Sequence, residues 1–306
     1  MAALTEGEFI WKNGELVPWA EATTHVLSHS LHYGSGVFEG IRCYKGDTAS
    51  YVFRLVDHME RLLNSCKIAQ IPCTCTVDDL VKAAVDTIKA NKLEACYVRP
   101  IVYRGYGTMG VDPTDAPVDV VVAVWPWGAY LGEEALEKGI TAGTSSWRQR
   151  SNNSIPPYMK ATASYMNSIL AKLEAKAHGY EEAVMLNEQG NVCEGTGENI
   201  FIVRDGIIST PQISDGILPG ITRDTVIQLA CDLDIPVIEE TLTRSDLYTA
   251  DEVFFTGSAA EVTPVASVDE RQIGGRGPIT KAIQDRFFEM TAGRHPEYSD
   301  WLYEVE

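Results

Sequence analysis

Apolar positions recur every three or four residues in two early stretches, the signature of helices with one buried face. In DHMERLLNSCKIA, Met59, Leu62, Leu63 and Cys66 fall on one side, and in VDDLVKAAVDTIKANK, Leu80, Ala83, Ala84 and Ile88 do the same. Ahead of them, EFIWKNGELVPW reads as two strands joined at Asn13-Gly14, a pair that suits a two-residue hairpin turn. After them, ACYVRPIVYR and VDVVVAVWPW predict strands, the second apolar enough for burial on both faces.

GAYLGEEALEKG carries two glycines and then turns charged, which predicts a linker over residues 127–138. It would separate a smaller N-terminal domain, residues 1–126, from a larger C-terminal domain, residues 139–306. In the second part MNSILAKLEAKAHG predicts a helix closed by Gly179, and the strand-rich run from Glu181 to Thr210 turns at Gln189-Gly190 and Asp205-Gly206. Strands and helices alternate in clusters, so the class is α/β or α+β, and no internal repeat interrupts it.

A chain of 306 residues exceeds the length at which a single core usually stops growing, which favours the two-domain reading. The formal charge of −18, with no Lys/Arg-rich run, argues against a nucleic-acid partner. No run approaches about 18 consecutive apolar residues and the first residues lack a signal-type apolar core, so a cytoplasmic protein with no membrane span is expected. Seven cysteines with no CxxC pair read as reduced thiols, and Cys73/Cys75 lack partner ligands in the neighbouring sequence, so no metal site is expected.

Several motifs carry candidate chemistry, each with a plainer account beside it. GYGTMG, from Gly105 to Gly110, satisfies a dinucleotide-binding spacing, yet VDPTDAP follows it where that motif needs a helix. LPGITRDTVIQLACDL predicts a helix starting near Ile221 whose free amides, with the Thr222 hydroxyl, could hold a phosphate; a well-started surface helix is the alternative. In CEGTGENIF, Glu194 could face a cationic ring, or Glu194 and Glu198 could be solvated acids at a bend. FTGSAAEVTP could bring the amides of Ser258 and Ala259 close to an anion, or its small residues could serve packing alone. Arg42 and Arg61 are either anion ligands or ordinary ion-pair partners.

Lys160, in PPYMKATASYMN, has no other charge near it in sequence. Such a setting disfavours the ammonium and favours a nucleophilic amine, while a surface lysine with a solvated tip is the alternative. Together an amine, a carboxylate, an anion-binding helix end and an arginine form the parts list for pyridoxal phosphate.

HYGSGVFEGIR, YVRP, PWGAY, the Lys160 segment, EGTGENIF, LPGITRD and TGSAAEVTPV, in this order over essentially the whole chain, resemble the branched-chain amino acid aminotransferases among the fold-type IV pyridoxal phosphate enzymes. The resemblance implies two α/β domains with the cofactor in the cleft between them, and a homodimer as the smallest working unit. It implies that Lys160 holds pyridoxal 5′-phosphate as a Schiff base and then moves the proton at the substrate α-carbon. Glu194 would pair with the ring nitrogen and Tyr165 with the phenolic oxygen. Arg61, the loop residues Leu218 and Gly220, the amides of Ile221 and Thr222, and Ser258 would hold the phosphate.

For the substrate, the resemblance implies a carboxylate site at Gly40, Tyr97, Ser258 and Ala259. It also implies an apolar pocket of Phe38, Trp127, Tyr130 and Tyr165, completed by Tyr33 and Val111 of a second subunit. Arg99 would take the distal carboxylate of glutamate. The implied reaction is ping-pong amino transfer between L-leucine, L-isoleucine or L-valine and 2-oxoglutarate. Two departures from the family pattern are Ser258, where threonine is common, and the Arg148-Gln149 pair. A D-amino acid or (R)-amine aminotransferase of the same fold, a nicotinamide oxidoreductase using GYGTMG, and a non-catalytic binding protein are the rivals.

Overall fold

Asn13 and Gly14 take φ angles of 51° and 103°, and around them the strands Phe9–Lys12 and Glu15–Pro18 pair antiparallel as the Asn-Gly turn predicts. They lie in a computed structural model that describes residues 4–128 and 133–305. The described residues fall into two compact units. The first contains residues 1–128, 159–163 and 290–306, and the second contains residues 129–158 and 164–289.

In the first unit an eight-stranded sheet is antiparallel throughout its pairings. Helices Leu55–Ile68 and Val77–Ala90 cover it with Met59, Leu62, Leu80 and Ile88, which pack with Val98, Val122 and Val124 in one core. The second helix starts at a capping box, in which Thr76 and Asp79 each bond the other's backbone amide. Strand Val118–Trp125 is not buried on both faces: Val120, Val122 and Val124 are buried, while the residues between them are half-buried. The two long helices cover the face that carries Val120, Val122 and Val124, so the strand alternates although both sets of side chains are largely apolar.

The second unit holds a nine-stranded mixed sheet. Ile140–Arg148 runs parallel to Glu182–Leu186 and to Glu261–Val268, with helix Tyr165–Ala177 in the crossover to the former. The path continues through Glu252–Gly257 and Asn199–Arg204, and the pairing of Glu194 with Asn199 closes six strands into a ring. Ile140, Val184, Leu186, Ile200 and Phe255 fill part of its core, and the buried rings of Phe201 and Phe254 stack at 5.0 Å.

Two boundaries differ from the linker reading. Glu133–Lys138 is a helix, and buried Ala135 belongs to the core of the second unit; Tyr130 and the rest of residues 129–132 lie outside the described residues. Residues 290–306 group with the first unit, because Leu302–Val305 pairs with Ser50–Phe53. No described helix is long and apolar enough to cross a membrane.

Candidate active site

Lys160 belongs to a short segment stitched into the first unit. Its carbonyl accepts from the Phe38 amide at 3.1 Å, its own amide donates to Ser65 Oγ at 3.2 Å, and Ala161 bridges to Val37. Its Nζ lies 5.4 Å from the centre of the Phe38 ring. The charge-free surroundings hold in sequence only, since its field reaches the buried His58.

His58 and Arg61 stand three apart on helix Leu55–Ile68, and both turn to Glu39. Arg61 Nε and Nη2 each donate to a different oxygen of Glu39 at 2.8 Å, and His58 Nδ1 meets Oε2 at 2.7 Å. Burial alone would raise the Glu39 pKa, but the charge of Arg61 and the hydrogen bonds from Arg61 and His58 outweigh it and hold the carboxyl well below its usual range. Burial lowers the His58 pKa against the opposing pull of Glu39, which keeps the ring neutral. Glu39 therefore fixes the orientation of the expected phosphate arginine, a role that short-range spacing did not reveal.

Beyond Phe38 the chain reaches Gly40, where a Cβ would stand 2.0 Å from Tyr97 Oη. Only glycine lets that hydroxyl come so close. Tyr97 is buried, with its ring 5.3 Å from Trp125 and 5.0 Å from Trp127. Arg99, two residues along the same strand, points its guanidinium at the rings of Phe38, Tyr97 and Trp125, at 4.8, 5.3 and 5.8 Å. Its buried Nε has no hydrogen-bond partner among the described residues. A cation walled by three aromatic rings is a fit for an incoming carboxylate. Tyr33 and Val111 are exposed, 43% and 86% of their surfaces remaining open.

In the second unit Glu194 ends strand Val192–Glu194 and is buried, as is Glu198, so neither is a solvated acid. Glu194 Oε1 accepts from Gln149 Nε2, and Oε2 accepts from the Leu218 amide at 3.0 Å. The Leu218 carbonyl accepts from Asn199 Nδ2 at 3.0 Å, and Asn199 Oδ1 lies 1.9 Å from where a Cβ on Gly220 would stand. Gly220 is the N-cap of helix Ile221–Asp232 and supplies no side-chain acceptor to its first turn. Ile221 and Thr222 thus sit at a helix start suited to an anion, with Thr222 itself buried.

Ser258 and Ala259 are half-buried in the turn between Glu252–Gly257 and Glu261–Val268. Just before them the buried Thr256 Oγ1 has no partner among the described residues, and Thr256 pairs in register with Asn199. An uncapped helix start, an orphaned hydroxyl and two small-residue amides are a donor set that fits a phosphate. Tyr165 opens helix Tyr165–Ala177. The other acid of the motif, Glu198, is pushed up to about 8 by burial and by the charge of Glu182. GYGTMG is a loop followed by strand Val118–Trp125, with His29 Nε2 held to the Gly110 carbonyl at 2.8 Å. The missing helix removes the dinucleotide reading.

Residues 36–268 match the family described as amino-transferase class IV. The branched-chain-amino-acid aminotransferase of Escherichia coli K12 is 48% identical over 303 residues, 98% of each chain. That of Pseudomonas aeruginosa is 44% identical over 95% of each chain. Among solved structures, the E. coli branched-chain aminotransferase superposes with a TM-score of 0.96 at 47% identity, covering 98% of this chain and 100% of that one. The branched-chain amino acid aminotransferase of Thermobaculum terrenum, solved in its pyridoxal phosphate form, does so with a TM-score of 0.93 at 37% identity, covering 98% and 99%.

Proposed function

The chain belongs to the class IV aminotransferases, and on that footing we propose that it transfers amino groups reversibly between L-leucine, L-isoleucine or L-valine and 2-oxoglutarate, using pyridoxal 5′-phosphate. The observation that carries the substrate reading is Arg99, a guanidinium caged by the rings of Phe38, Tyr97 and Trp125. Branched aliphatic chains suit the aromatic walls, and the guanidinium accounts for the second carboxylate of glutamate and 2-oxoglutarate.

When bound, pyridoxal phosphate supplies an aldehyde for the amine and a ring that draws electrons from the substrate α-carbon. Lys160 would be the amine that holds the cofactor and, when free, the base that takes and returns the proton at the substrate α-carbon. Glu194 would keep the proton on the ring nitrogen, and Tyr165 would donate to the phenolic oxygen. The amides of Ile221 and Thr222, with Leu218, Gly220 and Ser258, would hold the phosphate, and the Glu39-oriented Arg61 would add a cation to it. Gly40 would give the Tyr97 hydroxyl access to the substrate carboxylate, for which the amides of Ser258 and Ala259 are further expected donors, with Trp127 an expected wall.

The exposed Tyr33 and Val111 support a working unit of at least two subunits, each lending these side chains to the other's site. Seven unpaired cysteines support a reducing, cytoplasmic location. The test is spectroscopic: the purified protein should absorb in the visible, and borohydride should fix the pyridoxyl group on Lys160. Faster turnover of D-alanine or a chiral amine than of L-leucine would replace the substrate assignment.

A further inference from the structure

Gln149 follows strand Ile140–Arg148 and is buried, its amide donating to the Leu186 carbonyl at 2.7 Å. Its side-chain oxygen faces three donors: the Arg150 amide at 3.2 Å, Arg150 Nη1 at 3.2 Å and Asn167 Nδ2 at 3.4 Å. An oxygen so surrounded settles which end of the carboxamide is which, so the NH₂ end is the one aimed at Glu194 Oε1. The other Glu194 oxygen takes the Leu218 amide.

We propose that Gln149 is a positioning residue for Glu194, a neutral donor that locks the carboxylate in place and couples it to Arg150 without setting a cation against it. The inference rests on the reading of Glu194 as partner of the ring nitrogen. Arg150 polarises the amide from its oxygen end and the amide polarises the carboxylate, so Glu194 stays anionic while its charge remains directed at the cofactor. A guanidinium in direct contact would instead compete with the pyridinium for the same charge.

The titratable groups around this carboxylate include Glu198 on the same hairpin, which also feels Glu182 and Lys172, Cys193 beside it, Arg150, and Asp215 in the turn before Leu218, which acts on Cys193. Variants at one position hold all of them constant. In the reconstituted holoenzyme, Gln149→Leu and Gln149→Glu remove the donor and raise the proton affinity of Glu194. They should move the acid limb of the kcat profile, and the pH midpoint of the visible band, about one unit to higher pH. Gln149→Arg should move both to lower pH, with borohydride labelling of Lys160 unchanged in all three.

Shifts in the same direction for Gln149→Glu and Gln149→Arg, or none in either, overturn the proposal, and this comparison stands even if Gln149→Leu fails to fold. Glu194→Gln separates the layers. If that variant keeps the wild-type spectrum and turnover, the assignment of Glu194 itself fails; if it is crippled while the Gln149 variants match wild type, only the positioning role fails.

Discussion

Arg61 and Glu39 form a two-pronged ion pair, each prong 2.8 Å long, with the carboxylate buried and His58 on its remaining side. Removing one member of a buried pair leaves the other charge unsolvated. Glu39→Ala should therefore lower stability by about 3 kcal/mol. It should also weaken cofactor binding by releasing Arg61, and thermal melts with and without pyridoxal phosphate separate the two effects.

The same cluster sets an acid limit. His58 and Glu39 both have folded-state pKa values below their ordinary 6.5 and 4.5. Each therefore stabilises the fold fully above its unfolded value and loses that contribution as pH falls towards the folded one. Stability should start to decline below about 6.5, and His58→Asn should remove this first decline while leaving the later carboxylate phase, as melting temperature against pH will show.

At Gly40 the test is steric. Gly40→Ala places a methyl 2.0 Å from the Tyr97 hydroxyl, and a ring packed against Trp125 and Trp127 has little room to retreat. Turnover should collapse, and Tyr97→Phe in the same chain should recover only part of the folding defect, because the ring carbon that bore the hydroxyl still lies 2.9 Å away.

Arg99→Gln tests the dual-substrate assignment. Losing a charge-assisted contact of about 2 kcal/mol should cost roughly thirtyfold in kcat/KM for 2-oxoglutarate. The half-reaction with L-leucine, which has no distal carboxylate, should change little. Equal losses in both half-reactions would mean that the arginine serves the pocket walls instead.

Glu198, pushed up to about 8, gives the opposite sign to His58. Its unfolded form ionises near 4.5 while its folded form keeps the proton, so this group's contribution to stability declines as pH rises between those values. Glu198→Gln has no proton to lose and should gain on the wild type across that interval, which a pH series of chemical denaturations would register.

Periodicity was enough to identify both early helices, and turn residues marked the early hairpin and the helix start at Ile221, because these depend on side chains a few residues apart. It was not enough for Glu39 with Arg61, 22 residues apart, or for Gln149 with Glu194, 45 apart. An isolated acid in FEGIR or glutamine in WRQRS looks the same whether it faces water or a buried partner. Lys160 shows the limit well: its local sequence carries no charge, yet its field acts on His58. The helix at Glu133–Lys138 escaped detection because Ala135 is the one fully buried side chain among its described residues.

The return of Leu302–Val305 to Ser50–Phe53 bears on how the chain is made. The first unit draws on three separated segments, and residues 290–305 leave the ribosome only after the whole second unit has been synthesised. Vectorial folding, in which the earlier domain finishes before the later one begins, is thus closed to this protein. Until the last segment arrives, the Ser50–Phe53 strand waits with an open edge, and the nascent chain must be kept from pairing it with a neighbour.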